Sequence, residues 1–346
     1  MMAMADTAMM VAVAGQAVVN DGKRHMMRTW RGFKQWMCGV VLSVLSGAMA
    51  LAAPFDNMVV FGDSLSDVGN ISQVTAGLQP GRHYYQGRVS NGPVFAEQLA
   101  VKLGLARLIP SAQGGTGFAY GGAQTSGTAG LAGLVIHDVD EQVDDYLQGG
   151  SVSEQTLHVV FAGANDLING QTDVQIPVNN LLRELRRLEN AGARQFLVSN
   201  LPLLGATPRF NADASAAQRM NGRSVQFNGL LADLLDEFVS SHPEVQLYRL
   251  DMAASFAEIT SNPARFGLVN VTDPAAPGLT PGSQNYDITR IVADPDEYLF
   301  WDDLHPTRAA HMLMADYAAQ AVPEPAGLAA VVFVVFVIRC RHAARP

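Results

Sequence analysis

Asn57-Met58-Val59-Val60-Phe61-Gly62-Asp63-Ser64-Leu65-Ser66-Asp67 opens as an apolar run and ends in small and polar residues. Its first five residues read as a short buried strand. The run breaks at Gly62, and a serine follows two residues later. A serine at a strand-to-helix turn can expose its hydroxyl, and nearby backbone N–H groups can face a developing oxyanion. Gly62 removes side-chain bulk there. Ser and Asp are also common helix caps, and Gly-Asp-Ser alone favours that reading.

Outward from this strand, residues 157–162, 195–199 and 245–249 read as three more buried strands. Residues 93–103, 178–190 and 215–240 have helical spacing. Strands separated by helices imply a parallel sheet covered on both faces. The expected fold is a three-layer α/β/α sandwich with a flavodoxin-like sheet, one domain over 54–321. Such sheets carry their sites at the carboxyl ends of the strands. Residues 262–296, rich in Pro, Gly and Asp, read as a long loop beside the site.

Two more motifs carry chemistry. Gly163-Ala164-Asn165-Asp166 follows the second strand, where an Asn amide can donate to an oxyanion; Asn and Asp also favour plain turns. In Phe300-Trp301-Asp302-Asp303-Leu304-His305-Pro306, a carboxylate and an imidazole stand three residues apart. One short turn lets Asp302 fix the tautomer of His305 and stabilise its imidazolium. The alternative there is a solvated acidic turn with an incidental histidine. The stretch 114–122 holds Gly121-Gly122 and permits close backbone approach to a ligand, though by itself it reads as a flexible loop. His158 lies inside an apolar strand and reads as a satisfied core residue. His83, His137, His242 and His311 lack a comparable carboxylate spacing.

The chain has 346 residues, 48% of them hydrophobic, enough for one sizeable core. Its net charge of −9 is unevenly placed: residues 51–325 hold fifteen basic and thirty acidic residues, with Lys102 the only lysine. Such a body is repelled by nucleic acid and by anionic membrane surfaces, so no nucleic-acid partner is expected. The two cysteines, Cys38 and Cys340, lie in the terminal segments. The body therefore has no thiolate nucleophile, thiolate metal site or disulfide.

Residues 26–53 read as a secretory signal. Arg28, Arg31 and Lys34 precede an apolar stretch over 37–51, and Ala48-Met49-Ala50 and Ala50-Leu51-Ala52 offer signal-peptidase sites. Residues 1–25 are expected to reflect a start placed too early, with Met26 or Met27 as the natural one. At the other end, Pro323-Glu324-Pro325 leads into an apolar run over 326–338 and then Arg339, Arg341 and Arg345. The run is short for a span, which needs roughly 17–25 residues, and the arginines suit a cytoplasmic stop. Segment 322–346 resembles the PEP-CTERM sorting tail. The resemblance implies transient anchoring in the inner membrane, cutting by an exosortase-like sorting protease, and release to the cell surface or medium.

Gly-Asp-Ser, a following glycine block, Gly-x-Asn-Asp and Asp-x-x-His-Pro, in that order, resemble the GDSL/SGNH hydrolase family. The resemblance covers essentially the whole body, with 90–96 and Asn200-Leu201-Pro202 as further matching stretches. It is nearest to the bacterial branch of phospholipase-, lecithinase- and haemolysin-like esterases. It implies Ser64 as nucleophile, His305 as general base and then acid, and Asp302 as its orienting partner. The Ser64 N–H, the Gly122 N–H and the Asn165 side chain would form the oxyanion hole, with Gly121 adjacent in register. Asp63, Asp67 and Asn70 match the motif and are expected to shape the turn. The implied reaction is cleavage of lipid or simple acyl esters through an acyl-enzyme, with no metal or organic cofactor. Two rivals stand beside it. An acetyl esterase on extracellular polysaccharide would be separated by an ester panel, and a non-catalytic surface-binding module by a serine-directed phosphonate. Relatives carry a cysteine pair near positions 275 and 292; its absence here implies a looser loop.

Overall fold

The computed structural model describes residues 55–322, all within one compact unit, Ala53–Glu324. The expected early start, the signal segment, the tail beyond Val322, and Cys38 and Cys340 lie outside the described residues. Among the described residues no helix is long and apolar enough to cross a membrane.

Four strands, β1 (Asn57–Gly62), β2 (Thr156–Phe161), β3 (Gln195–Ser199) and β4 (Gln246–Leu250), lie parallel in the order β1-β2-β3-β4. Every residue of β2 is buried, Thr156 and His158 included, as a strand in the middle of a covered parallel sheet requires. Along the free edge of β1 runs the glycine-rich stretch. Val60 N–H donates to Thr116 O (3.0 Å), Phe118 N–H to Val60 O (2.8 Å) and Tyr120 N–H to Gly62 O (3.1 Å). Counting this ladder, the sheet follows chain order 2-1-3-4-5, the flavodoxin-like arrangement. The stretch is thus a sheet edge, not the flexible loop its glycines suggested. Asn70 fixes it: the side-chain amide donates to Gly117 O (2.7 Å) and Ala119 O (2.9 Å).

Nine α-helices complete the described fold: α1 (Asn70–Val74), α2 (Phe95–Lys102), α3 (Val139–Gln148), α4 (Ala164–Ile168), α5 (Gln175–Asn190), α6 (Pro208–Asn211), α7 (Ala214–Ser241), α8 (Met252–Ser261) and α9 (Arg308–Ala321). Helices α3, α5 and α7 pack in series as one layer, and α9 packs with α2 and α8 as another. Between helices and sheet lie Phe61, Phe95, Phe161, Phe196, Phe227 and Phe238, all fully buried. Each removes its ring from water at about 1.5–3 kcal/mol. Asp213 caps α7 by accepting the N–H of Ser215 (2.8 Å) and Ala216 (3.2 Å).

The segment expected as a long, loose loop is more ordered than its composition suggested. Within it β5 (Asn270–Pro274) pairs in parallel with β6 (Tyr298–Phe300). Val292 N–H donates to Ala275 O at 3.0 Å, joining the two positions where cysteines were missed. Ala275, Ala276 and Leu279 pack with Tyr84, Val89 and Trp301 in a small separate core. Apolar side chains scattered among the prolines and glycines supply the tie.

Candidate active site

Ser64 stands on the turn leaving β1. That turn requires glycine at 62: φ is 150°, and a Cβ there would lie 2.2 Å from Phe161 O. Gln142 of α3 clamps the same residue, accepting its N–H (2.8 Å) and donating to its carbonyl (2.9 Å). Asp63 O accepts the N–H of Ser66 and of Asp67, both at 3.0 Å, and its carboxylate accepts Leu65 N–H (3.0 Å). Asp67 is buried and accepts four backbone N–H groups: Gly69 (2.7 Å), Asn70 (2.6 Å), Ile71 (3.1 Å) and Gly121 (2.8 Å). Asp63, Asp67 and Asn70 therefore shape the turn, and Asp67 also ties the glycine pair to it.

The Asp302–His305 turn follows β6. Trp301 N–H donates to His305 O (2.7 Å), and Asp302 Oδ1 accepts the N–H of Leu304 (2.8 Å) and His305 (2.7 Å). His305 Nδ1 lies 2.9 and 2.8 Å from the two Asp302 oxygens, and Nε2 lies 3.0 Å from Ser64 Oγ. Residues 241 positions apart thus form one line of hydrogen bonds, closed to solvent at Asp302. Burial alone would raise the Asp302 pKa. The charge of His305, its ring and backbone hydrogen bonds, and a bond from Tyr84 outweigh burial and hold the carboxyl below its ordinary value. Tyr84 Oη donates to Asp302 Oδ2 at 2.7 Å. Burial and the Asp302 charge push the phenol pKa up, so it stays a donor. No motif spacing marks Tyr84; its only sequence signal is proximity to the stretch at 90–96.

Ser64, Gly122 and Asn165 line one cavity. The N–H groups of Ser64 and Gly122 have no acceptor among the described residues, whereas the Gly121 N–H is taken by Asp67. Gly122 has φ 89°, a left-handed backbone that glycine adopts without strain. Asn165, in the first turn of α4, donates from Nδ2 to Ala123 O (2.8 Å), leaving its second N–H free to donate. Beside it Asp166 accepts Thr125 N–H (3.0 Å) and Thr125 Oγ (2.6 Å); burial pushes its carboxyl up to about 6. These groups lie where β1 and β2 end together, at the switch in strand order.

Two cavities meet at Ser64. One, of about 190 Å³, is lined by Ile168, Leu201, Leu204, Phe256 and Phe300. The other, more open, of about 470 Å³, is lined by Gly121, Gly122, Val135, Ile136 and Arg209. Ser64, Asn165 and His305 line both. The remaining histidines stand apart. His158 is buried, bonded to Tyr146 Oη (3.2 Å) and Gln195 O (3.3 Å), with its pKa lowered to about 4 by burial, as a core residue should be. His137 does find a carboxylate that its spacing concealed, Asp145 at 2.6 Å, but the pair is solvated. His311, in α9, accepts Phe95 N–H (3.2 Å) within the core.

The comparisons with known proteins give the family. The model of GDSL-like Lipase/Acylhydrolase matches residues 58–318, a span that contains each of the four motifs. Phosphatidylcholine-sterol acyltransferase of Aeromonas hydrophila is 28% identical over 330 residues, covering 83% of this chain and 96% of that protein. A GDSL esterase/lipase of Arabidopsis thaliana is 27% identical over 320 residues, covering 77% and 87%. Thermolabile hemolysin of Vibrio parahaemolyticus is 27% identical over 274 residues, covering 75% of this chain and 62% of that protein. With a family match over most of its length, the chain belongs to the GDSL-like lipase/acylhydrolase family and is a carboxylic ester hydrolase or acyltransferase.

Proposed function

We propose that the protein hydrolyses acyl esters of lipids or simple alcohols, with Ser64 as nucleophile. The observation that carries this is the line Ser64 Oγ–His305 Nε2 (3.0 Å), His305 Nδ1–Asp302 (2.8 Å). Ser64 Oγ attacks the ester carbonyl while its proton passes to His305 Nε2. The carbonyl oxygen becomes an oxyanion beside the Ser64 and Gly122 N–H groups and the Asn165 amide. Collapse breaks the C–O bond, the alcohol leaves with the proton from His305, and the acyl group stays on Ser64. Water then attacks, giving its proton to His305, and the acid is released as Ser64 regains its hydrogen. Asp302 holds the imidazole tautomer throughout.

The apolar cavity beyond Ser64 is built for a hydrocarbon chain, which favours acyl esters longer than acetyl over acetylated polysaccharide. The intact hydrogen-bonded line argues against a binding module on an inactive scaffold. A panel of acetylated sugars, short- and long-chain esters and phospholipids tests the reading. Turnover should be fastest on lipid or simple acyl esters and lost in Ser64→Ala with circular dichroism unchanged. Near wild-type activity in that variant overturns it.

We further place the enzyme outside the cytoplasm, anchored briefly by its tail and then released. The basic and apolar stretch over 26–53 and the Pro-Glu-Pro, apolar run and arginines over 322–346 support this. Mass spectrometry of the protein from a host with the sorting protease should find the tail missing. An intact end through Pro346 would leave permanent anchoring instead.

A further inference from the structure

The open cavity beside Ser64 has two walls. Leu131, Ala132, Val135 and Ile136 form one, and Thr75, Gln79, Pro80 and Pro281 form the other. Three leucines stand out from these walls into solvent: Leu131 is 84% exposed, Leu134 76% and Leu78 63%. Their exposure is held in place. Asp138 closes the loop behind Leu131, accepting the N–H groups of Gln124 (2.8 Å) and Thr128 (2.6 Å). Leu134 N–H donates to Leu131 O (3.2 Å), and the Gln284 side chain donates to Leu78 O (3.2 Å). Apolar residues fixed outward around a cavity mark a surface that meets another apolar phase.

Charge says which phase. The body carries twice as many acidic as basic residues, yet residues 68–81, 108–136 and 275–286, which supply both walls, contain no Asp, Glu, Lys or Arg. Arg209 is the one Asp, Glu, Lys or Arg residue lining the cavity, and Asp303 holds it at 3.0 and 2.8 Å. A mouth whose single cation is already paired loses less on leaving water than one rimmed with free charges, and its leucines gain from entering hydrocarbon. The acidic remainder repels an anionic surface.

We propose that this mouth docks on a zwitterionic lipid surface, with Leu78, Leu131 and Leu134 entering the lipid and Ser64 facing the interface. This rests on the ester-hydrolase reading for its purpose, since a docked mouth admits a lipid ester to Ser64 without carrying it through water. Leu78 and Leu134 line neither cavity, so they serve docking and not the fit of a single ester molecule.

The test uses the full chain with Cys38→Ser and Cys340→Ser and a polarity-sensitive fluorophore on Leu134→Cys. A control carries the label on Val101→Cys, equally exposed on α2 and outside both cavities. Vesicles of non-hydrolysable dialkyl phosphatidylcholine should shift emission at 134 to the blue and leave 101 unchanged. Adding Leu78→Asp should move the lipid titration midpoint about tenfold higher. The absence of a shift at 134, an equal shift at both positions, or a larger shift on phosphatidylglycerol overturns the proposal. A blue shift that grows with protein concentration without lipid also overturns it and assigns the surface to a second copy. Hydrolysis of a soluble ester by the wild-type protein is read separately. Its failure beside an intact lipid shift rejects the hydrolase reading and leaves the docking surface standing.

Discussion

Ser64 owes its geometry to neighbours that never touch a substrate. Gly62 removes a clash, Gln142 clamps the strand end, and Asp67 gathers four N–H groups around the turn. The proposed oxyanion donors are held in the same indirect way, since Ala123 O takes one N–H of the Asn165 amide and leaves the other free. Asn165→Ala should lower kcat by on the order of 10²–10³ with KM nearly unchanged, because such a donor acts mainly in the transition state. Steady-state kinetics on a soluble ester check this, and a pure KM effect would make Asn165 a substrate-binding residue instead. Tyr84 acts one step further out, through Asp302. Tyr84→Phe removes one donor from a buried carboxylate and should lower kcat by about tenfold, in line with the loss of one hydrogen bond to a charged group. A change in KM alone, with kcat kept, would show that Tyr84 serves substrate fit and not the orientation of Asp302.

Among the elements, the ladder at 116–120 decides whether the glycine pair reaches Ser64. Asn70 holds that ladder from α1, accepting Ala112 N–H (3.1 Å) while donating to two buried carbonyls. Asn70→Ala should destabilise the protein by about 2–4 kcal/mol, since two donors and an acceptor are lost in the interior. Urea unfolding measures this; an unchanged midpoint would mean the edge holds without Asn70. The same ladder marks where the sequence stops being legible. The helices at 93–103, 178–190 and 215–240 could be read from their apolar periodicity and β1 to β4 from short apolar runs, although β4, expected to be buried, buries only Leu250. The edge at 116–120 could not, because glycines carry no pattern and its partner is 50–60 residues away. β5 and β6 were hidden likewise, because Asn270, Asp273 and Pro274 interrupt one and the other is only three residues long. Ser64, Asn165, Asp302 and His305 were legible because each sits in a short ordered motif. Tyr84, whose tie to Asp302 spans 218 positions, had none.

At the scale of the molecule, buried ionisable groups pull stability in opposite directions with pH. Burial pushes the Asp63 and Asp166 carboxyls up to about 6 and the His158 and His311 imidazoles down to about 4 and 3. As pH falls from 7 toward 5, the folded state takes up the Asp protons more readily than the unfolded chain, which adds stability. Over the same range the unfolded chain protonates its histidines and the folded state does not, which removes stability. Asp63→Asn isolates one sign. It should raise Tm at pH 7 by relieving a buried charge worth at most about 3 kcal/mol, with the gain vanishing at pH 5, where Asp63 is itself protonated. A gain in Tm independent of pH would contradict the burial of a charged Asp63. Ser64 is the proposed nucleophile, and an active-site fluorophosphonate followed by mass spectrometry tests that role most directly. One adduct should form per chain, on the peptide containing Ser64, and it should disappear in His305→Ala and Ser64→Ala. An ester-cleaving protein that takes no adduct, or takes it on another serine, would contradict the account.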